Sequence, residues 1–182
     1  MSRYQPSDDH ERLEDLFELH SRAVRAYAIR RLGPHAADDI VSEVFTTAWR
    51  RLGDVPDPAL PWLFRVAHHT ILHERRSLAR RMRVRDAVAD DPPRHHPAPE
   101  HSSRALAESV LAQLPDLDAE ILRLTAWEGL TPTEIAVVLD LSGSATRNRL
   151  MRARRRAQQL LSEDHTSLPL AVVPAPQGAH HA

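Results

Sequence analysis

Apolar residues recur every three or four positions through most of the chain, and no segment alternates with period two, so the pattern predicts an all-α protein. Leu13, Leu16, Phe17, Val24 and Ala28 make one stripe. The helix that carries them should stop near Gly33 and Pro34, because glycine releases a helix and proline cannot continue one. A second helix is expected over about 36–52, with Ile40, Val41, Val44, Phe45, Ala48 and Leu52 inward. That leaves Asp38, Asp39, Ser42, Glu43, Thr46 and Arg50 on its remaining surface. Three prolines within 53–61 predict a loop, and a long helix should run from Pro61 or Trp62 to about Arg83.

Residues 86–103 break the pattern. They combine acids, histidines and four prolines with almost no large apolar side chain, and cannot bury enough surface to offset the entropy of ordering. This predicts a flexible linker between two structurally independent modules, 11–85 and 104–162. Helical candidates follow at about 104–113, 117–128, 132–139 and 143–161. From 163 the chain carries prolines at 169, 174 and 176 and one short apolar run, which reads as a flexible tail.

Composition narrows the class. A chain of 182 residues with 42% apolar content has room for two small cores. Cysteine is absent, so neither disulfides nor thiolate metal sites hold the fold, which suits a reducing cytoplasm. No stretch approaches the ~20 apolar residues of a membrane span, so a soluble protein without a membrane partner is expected. The formal charge of −1 conceals a segregation: 104–141 holds 2 Arg against 7 acids, whereas 142–162 holds 6 Arg and no acid. A charge block of this kind on one predicted helix marks a surface for an anionic partner.

That block lies within a helix-turn-helix pattern. Thr131 can cap a helix whose first position is Pro132, and Glu134 completes a capping box. Ala136 is small where two helices must cross, and Ser142 can cap the second helix. The tight turn near Asp140 ordinarily takes glycine for its positive φ, and aspartate is a tolerable substitute. At about 100° per residue, Leu150, Ala153, Ala157, Leu160 and Leu161 fall on one side of the last helix, opposite Asn148, Met151, Arg152 and Arg155. Arginine can take guanine edges, asparagine adenine and methionine a thymine methyl, while Arg147, Arg149, Arg154 and Arg156 can reach phosphates.

Three segments in register carry a family resemblance. Residues 37–52 (ADDIVSEVFTTAWRRL) resemble the helix with which extracytoplasmic-function (ECF) sigma factors grip the beta-prime clamp coiled coil of core RNA polymerase. Residues 62–67, followed by the arginines of 75–81, resemble the next helix of sigma domain 2, which engages the minus-ten element. Residues 110–122, 127–130 and 134–136 resemble sigma domain 4, which reads the minus-thirty-five element.

The resemblance spans about 13–161 and implies a non-enzymatic initiation factor without cofactor or metal, whose partners are core polymerase, promoter DNA and, in many relatives, an anti-sigma factor. It implies polymerase contacts at Asp38, Asp39, Glu43, Phe45 and Trp49, and minus-ten contacts at Arg65, His69, His73, Arg76 and Arg80. Minus-thirty-five contacts fall at Thr131, Ser144, Arg147, Asn148, Met151, Arg152 and Arg155. The proline-rich loop 53–61 stands where the family captures a base flipped from the non-template strand.

Two departures stand out. His69 and His73 replace the Asn or Asp of many relatives, and Asp140 stands where many have Gly. The histidine pair has i, i+4 metal spacing, but no third ligand is evident and the pattern holds no nucleophile constellation, which speaks against a metal-dependent hydrolase. The alternative reading is a stand-alone helix-turn-helix regulator, separable by whether specific DNA binding needs core polymerase.

Overall fold

The computed structural model describes residues 6–86 and 103–166, which form seven α-helices with no strand among the described residues. The first module holds α1 (Pro6–Leu32), α2 (Ala37–Arg50) and α3 (Leu60–Asp86). The second holds α4 (Ser103–Ala112), α5 (Asp116–Ala126), α6 (Pro132–Val138) and α7 (Gly143–Thr166). The expected linker lies outside the described residues for all but its ends, as does the tail beyond 166. Helix α7 itself runs on to Thr166, past the end read from the apolar stripe.

α1 stops where glycine and proline require. Gly33 takes φ 83°, and its N–H returns to the Ile29 carbonyl at 2.9 Å. Arg75, reaching across from α3, donates to the Arg31 carbonyl at 2.9 Å and so satisfies another terminal acceptor. Val24, Ala28, Val44, Ala48, Leu63 and Ala67 are wholly buried where the three helices meet. Phe17 departs from its expected place. It is 48% exposed and lies edge-on to the buried Phe45, with ring centroids 4.9 Å apart.

The second module buries Ile121, Leu124, Ile135 and Val138 in one cluster with Leu150 of α7, and Ala153 of α7 is buried as well. A smaller cluster of Leu111, Leu114 and Ala119 is backed by Trp127, Ala157 and Leu160.

The modules are not independent. Their buried residues form one continuous cluster from Leu16 to Leu150, and α3 lies along α6. The polar part of the junction is built from the end of α1. Arg31 bonds Glu120 at 2.7 Å and Glu128 at 2.8 Å, and Arg30 also pairs with Glu128. The side chains of Arg31 and Glu128 are 4% and 0% exposed, so this network lies inside the protein. The low apolar content of residues 86–103 marks a break in the pattern of the chain. It carries no information about whether the faces on either side of that break fit together.

Candidate nucleic-acid interface

The helix-turn-helix is assembled from its own capping groups. The Thr131 hydroxyl accepts from the Glu134 backbone N–H at 3.3 Å, and the Glu134 carboxylate accepts from the Thr131 N–H at 2.8 Å, which closes the capping box. Asp140 makes the turn at φ 54°, and the Leu141 N–H bonds the Ala136 carbonyl at 3.0 Å. The Ser142 hydroxyl then accepts from the Ala145 N–H at 3.2 Å to start α7. Thr146, which sequence reading passed over, is fully buried at the crossing and donates to the Ser142 carbonyl at 3.1 Å.

This anchoring fixes the rotation of α7. Leu150 and Ala153 face the core, and Ser144, Arg147, Asn148, Met151, Arg152 and Arg155 all project into solvent, Met151 with 65% of its surface free. Thr131 is exposed at the start of α6. Arg149 is turned from the expected phosphate role towards its own module, where it bonds Asp118 at 3.0 Å.

On α2, Asp38, Asp39 and Glu43 are exposed and Trp49 is half exposed. Asp38 accepts from Arg25 Nε at 2.7 Å, a hydrogen bond that, with the charge of the carboxylate, raises the pKa of the guanidinium. Phe45 is only 6% exposed, so the exposed apolar side chain that α2 itself carries is Trp49. Trp49 and Phe45 flank a shallow groove with His10, Leu13, Ser42 and Thr46.

On α3, Arg76 and Arg80 border one shallow groove with Arg75, and His73 is exposed. Arg65 and His69 stand one turn apart and line a separate cleft of about 280 Å³ together with Thr47, Trp62 and Thr70. Both are engaged by the other module. One Asp140 carboxylate oxygen lies 2.6 Å from Arg65 Nη2, and the second lies 3.0 Å from His69 Nε2. Neighbouring His68 points inward to the Tyr27 hydroxyl at 3.3 Å. Burial lowers its pKa, opposed by Glu120 and reinforced by His69, Arg31 and Arg75. Burial raises the pKa of Tyr27, and Glu120 adds to the rise. Burial works against the charge on Arg31, but Tyr27, Glu120 and Glu128 outweigh it and hold its pKa above the ordinary value.

The network of Tyr27, Arg31, Glu120 and Glu128 was missed in the sequence. Tyr27 and Arg31 are spaced i, i+4, which would place them on one face, but nothing local marks partners about ninety positions away.

A capped helix-turn-helix with an acid-free exposed face, joined to a three-helix module with an acidic face and a basic face, defines a two-module helical transcription protein. Its first module matches the sigma-70 region 2 family over residues 16–81, and its second the sigma-70 region 4 family over 104–156. It is 30% identical over 155 residues to the ECF RNA polymerase sigma factor SigL of Mycobacterium tuberculosis, covering 81% of this chain and 88% of that protein. To the RNA polymerase sigma factor CnrH of Cupriavidus metallidurans it is 33% identical over 166 residues, covering 79% and 81%. The solved structure of CnrH in complex with the cytosolic domain of CnrY superposes with a TM-score of 0.54 at 28% identity, covering 84% of this chain and 88% of that one. The chain belongs to the ECF sigma factors, non-enzymatic initiation factors that bind core RNA polymerase and direct it to promoters. Among the described residues no helix is long and apolar enough to cross a membrane.

Proposed function

We propose that this sigma factor divides its work between two modules, 11–85 and 104–162, acting in the cytoplasm. The exposed carboxylates Asp38, Asp39 and Glu43, with Trp49 beside them, dock on the basic clamp coiled coil of core polymerase. Phe45 supports that surface from beneath. Arg65, His69, His73, Arg76 and Arg80 face minus-ten DNA. The cleft next to Arg65 and His69 is where a base extruded from the stack would be held, offsetting the few kcal/mol its extrusion costs. Thr131, Ser144, Arg147, Asn148, Met151, Arg152 and Arg155 read the minus-thirty-five major groove.

The observation that carries this reading is the rotation of α7. Its apolar residues are buried while every proposed base-reading side chain on it is exposed. A stand-alone regulator would need only that helix and would leave the acidic face of α2 without a task. CnrH is known bound to the cytosolic domain of CnrY. A corresponding anti-sigma protein is the expected antagonist here. Run-off transcription from a genomic fragment library, with core polymerase alone and with this protein added, tests the reading directly. New discrete start sites that require both components are expected. Specific promoter binding without core polymerase would favour the stand-alone regulator.

A further inference from the structure

Asp140 of the second module meets Arg65 and His69 of the first. Asp140 occupies the left-handed turn of the helix-turn-helix, where glycine would serve the backbone without steric cost. Its carboxylate spans the gap between the modules and divides its oxygens between Arg65 Nη2 at 2.6 Å and His69 Nε2 at 3.0 Å. Two anionic oxygens therefore sit where a nucleic-acid phosphate would bind the same donors. Beneath this contact the core is continuous, and the buried bonds of Arg31 to Glu120 and Glu128 fix how the second module is seated. The recognition face of α7 stays open in the same arrangement, since Arg147, Asn148, Met151 and Arg152 are all exposed.

We infer that Asp140 acts as an internal latch, holding the helix-turn-helix corner against the minus-ten face, so that Arg65 and His69, though 43% and 55% exposed, have their donor atoms occupied by its carboxylate until the modules part. The function given to Arg65 and His69 rests on the reading under Proposed function; the closure itself does not. The latch occupies two of the five side chains given to minus-ten DNA and leaves the recognition face of α7 open. Upstream duplex can be engaged by the closed form, whereas full engagement of melted minus-ten DNA requires opening.

The native chain has no cysteine, so fluorophores can be placed without background labelling. Leu19→Cys on α1 and Gln159→Cys on α7, both at exposed sites, report the separation of the modules by single-molecule energy transfer in the full-length protein. Asp140→Asn keeps a residue that tolerates the left-handed turn and removes the charge. It should raise the ratio of open to closed molecules several-fold. It should also tighten binding of a labelled random-sequence single-stranded 20-mer several-fold, a gain that Arg65→Ala removes. Asp116→Asn takes the same charge from an exposed site in the same module and should leave both readings at the wild-type value. A distance distribution unchanged by Asp140→Asn, or one changed equally by Asp116→Asn, overturns the latch. Opening without any gain in single-strand affinity leaves the latch standing and overturns the minus-ten role of Arg65 and His69.

Discussion

Arg31 and Glu128 stand 97 positions apart and are bonded at 2.8 Å, with 4% and 0% of their side chains exposed. The Arg31 guanidinium also lies over the Tyr27 ring, 3.5 Å from its centroid, so one cation is held by a ring from its own module and two carboxylates from the other. A buried ion pair contributes little over an apolar substitute, but removing one partner strands the other.

Glu128→Gln leaves Arg31 its bond to Glu120 and should therefore destabilise the junction by about 1–3 kcal/mol, the usual cost of weakening a buried charged hydrogen bond. In calorimetry the wild type should unfold in one transition, and the variant in two, as each module melts separately. A single transition in Glu128→Gln with a melting point within a degree of wild type would show that the modules are joined by the apolar contact alone.

His68 makes the same junction sensitive to acid. Its side chain is 17% exposed, with Tyr27, Glu120, His69, Arg31 and Arg75 around it, and burial lowers its pKa from the ordinary 6.5. On acidification the unfolded chain binds the proton first, so the stability contributed by neutral His68 is present above pH 6.5 and is lost as pH falls below it. Urea midpoints measured at pH 7.5 and 5.8 should differ more for the wild type than for His68→Gln. An equal difference in the two proteins would remove His68 from the acid response.

Much of this was legible because local physics decides it. Gly33 and Pro34 end α1, the spacing from Thr131 to Glu134 writes a capping box, and the stripe through Leu150 and Ala153 sets which side of α7 faces out. Each depends on residues within two turns of one another. The Arg31 network and the contact of Asp140 with Arg65 depend on how two separately patterned surfaces meet, which no periodicity encodes. Phe17 departs for a related reason. The stripe puts it inward, but it lies edge-on to the buried Phe45 of the next helix and stays 48% exposed, a relation between two helices that the period of one does not encode.

The capping box gives a local measure of the helix-turn-helix. α6 spans only Pro132–Val138, too short to be stable without its cap and its packing. Thr131→Ala removes the acceptor for the Glu134 N–H and should cost about 1 kcal/mol, read as a lower urea midpoint at unchanged slope. Thr131→Ser, which keeps the oxygen, should recover most of the loss. If serine and alanine behave alike, the threonine methyl and not the cap is what matters.

The tasks of polymerase docking and upstream DNA reading should separate, since Asp39 and Glu43 on α2 and Arg152 and Arg155 on α7 are exposed on different modules. Reversing the charge at Asp39 and Glu43 sets like charges against a basic coiled coil and should abolish capture by core polymerase, while the second module keeps its fold and the helical content stays at the wild-type level. Replacing Arg152 and Arg155 with alanine should do the opposite. That protein should still assemble with polymerase, but its holoenzyme should bind promoter fragments less tightly and with a shallower dependence on salt, because fewer counterions are released. A bidentate contact from Arg152 to one base predicts a loss of about 1–3 kcal/mol confined to a single upstream position, whereas a phosphate contact predicts the same loss on every promoter. Pull-down with core enzyme and salt titrations on a set of single-base promoter variants distinguish these outcomes. Normal capture of the acid-reversed protein, with transcription intact, would show that the polymerase contacts lie on another face of the first module.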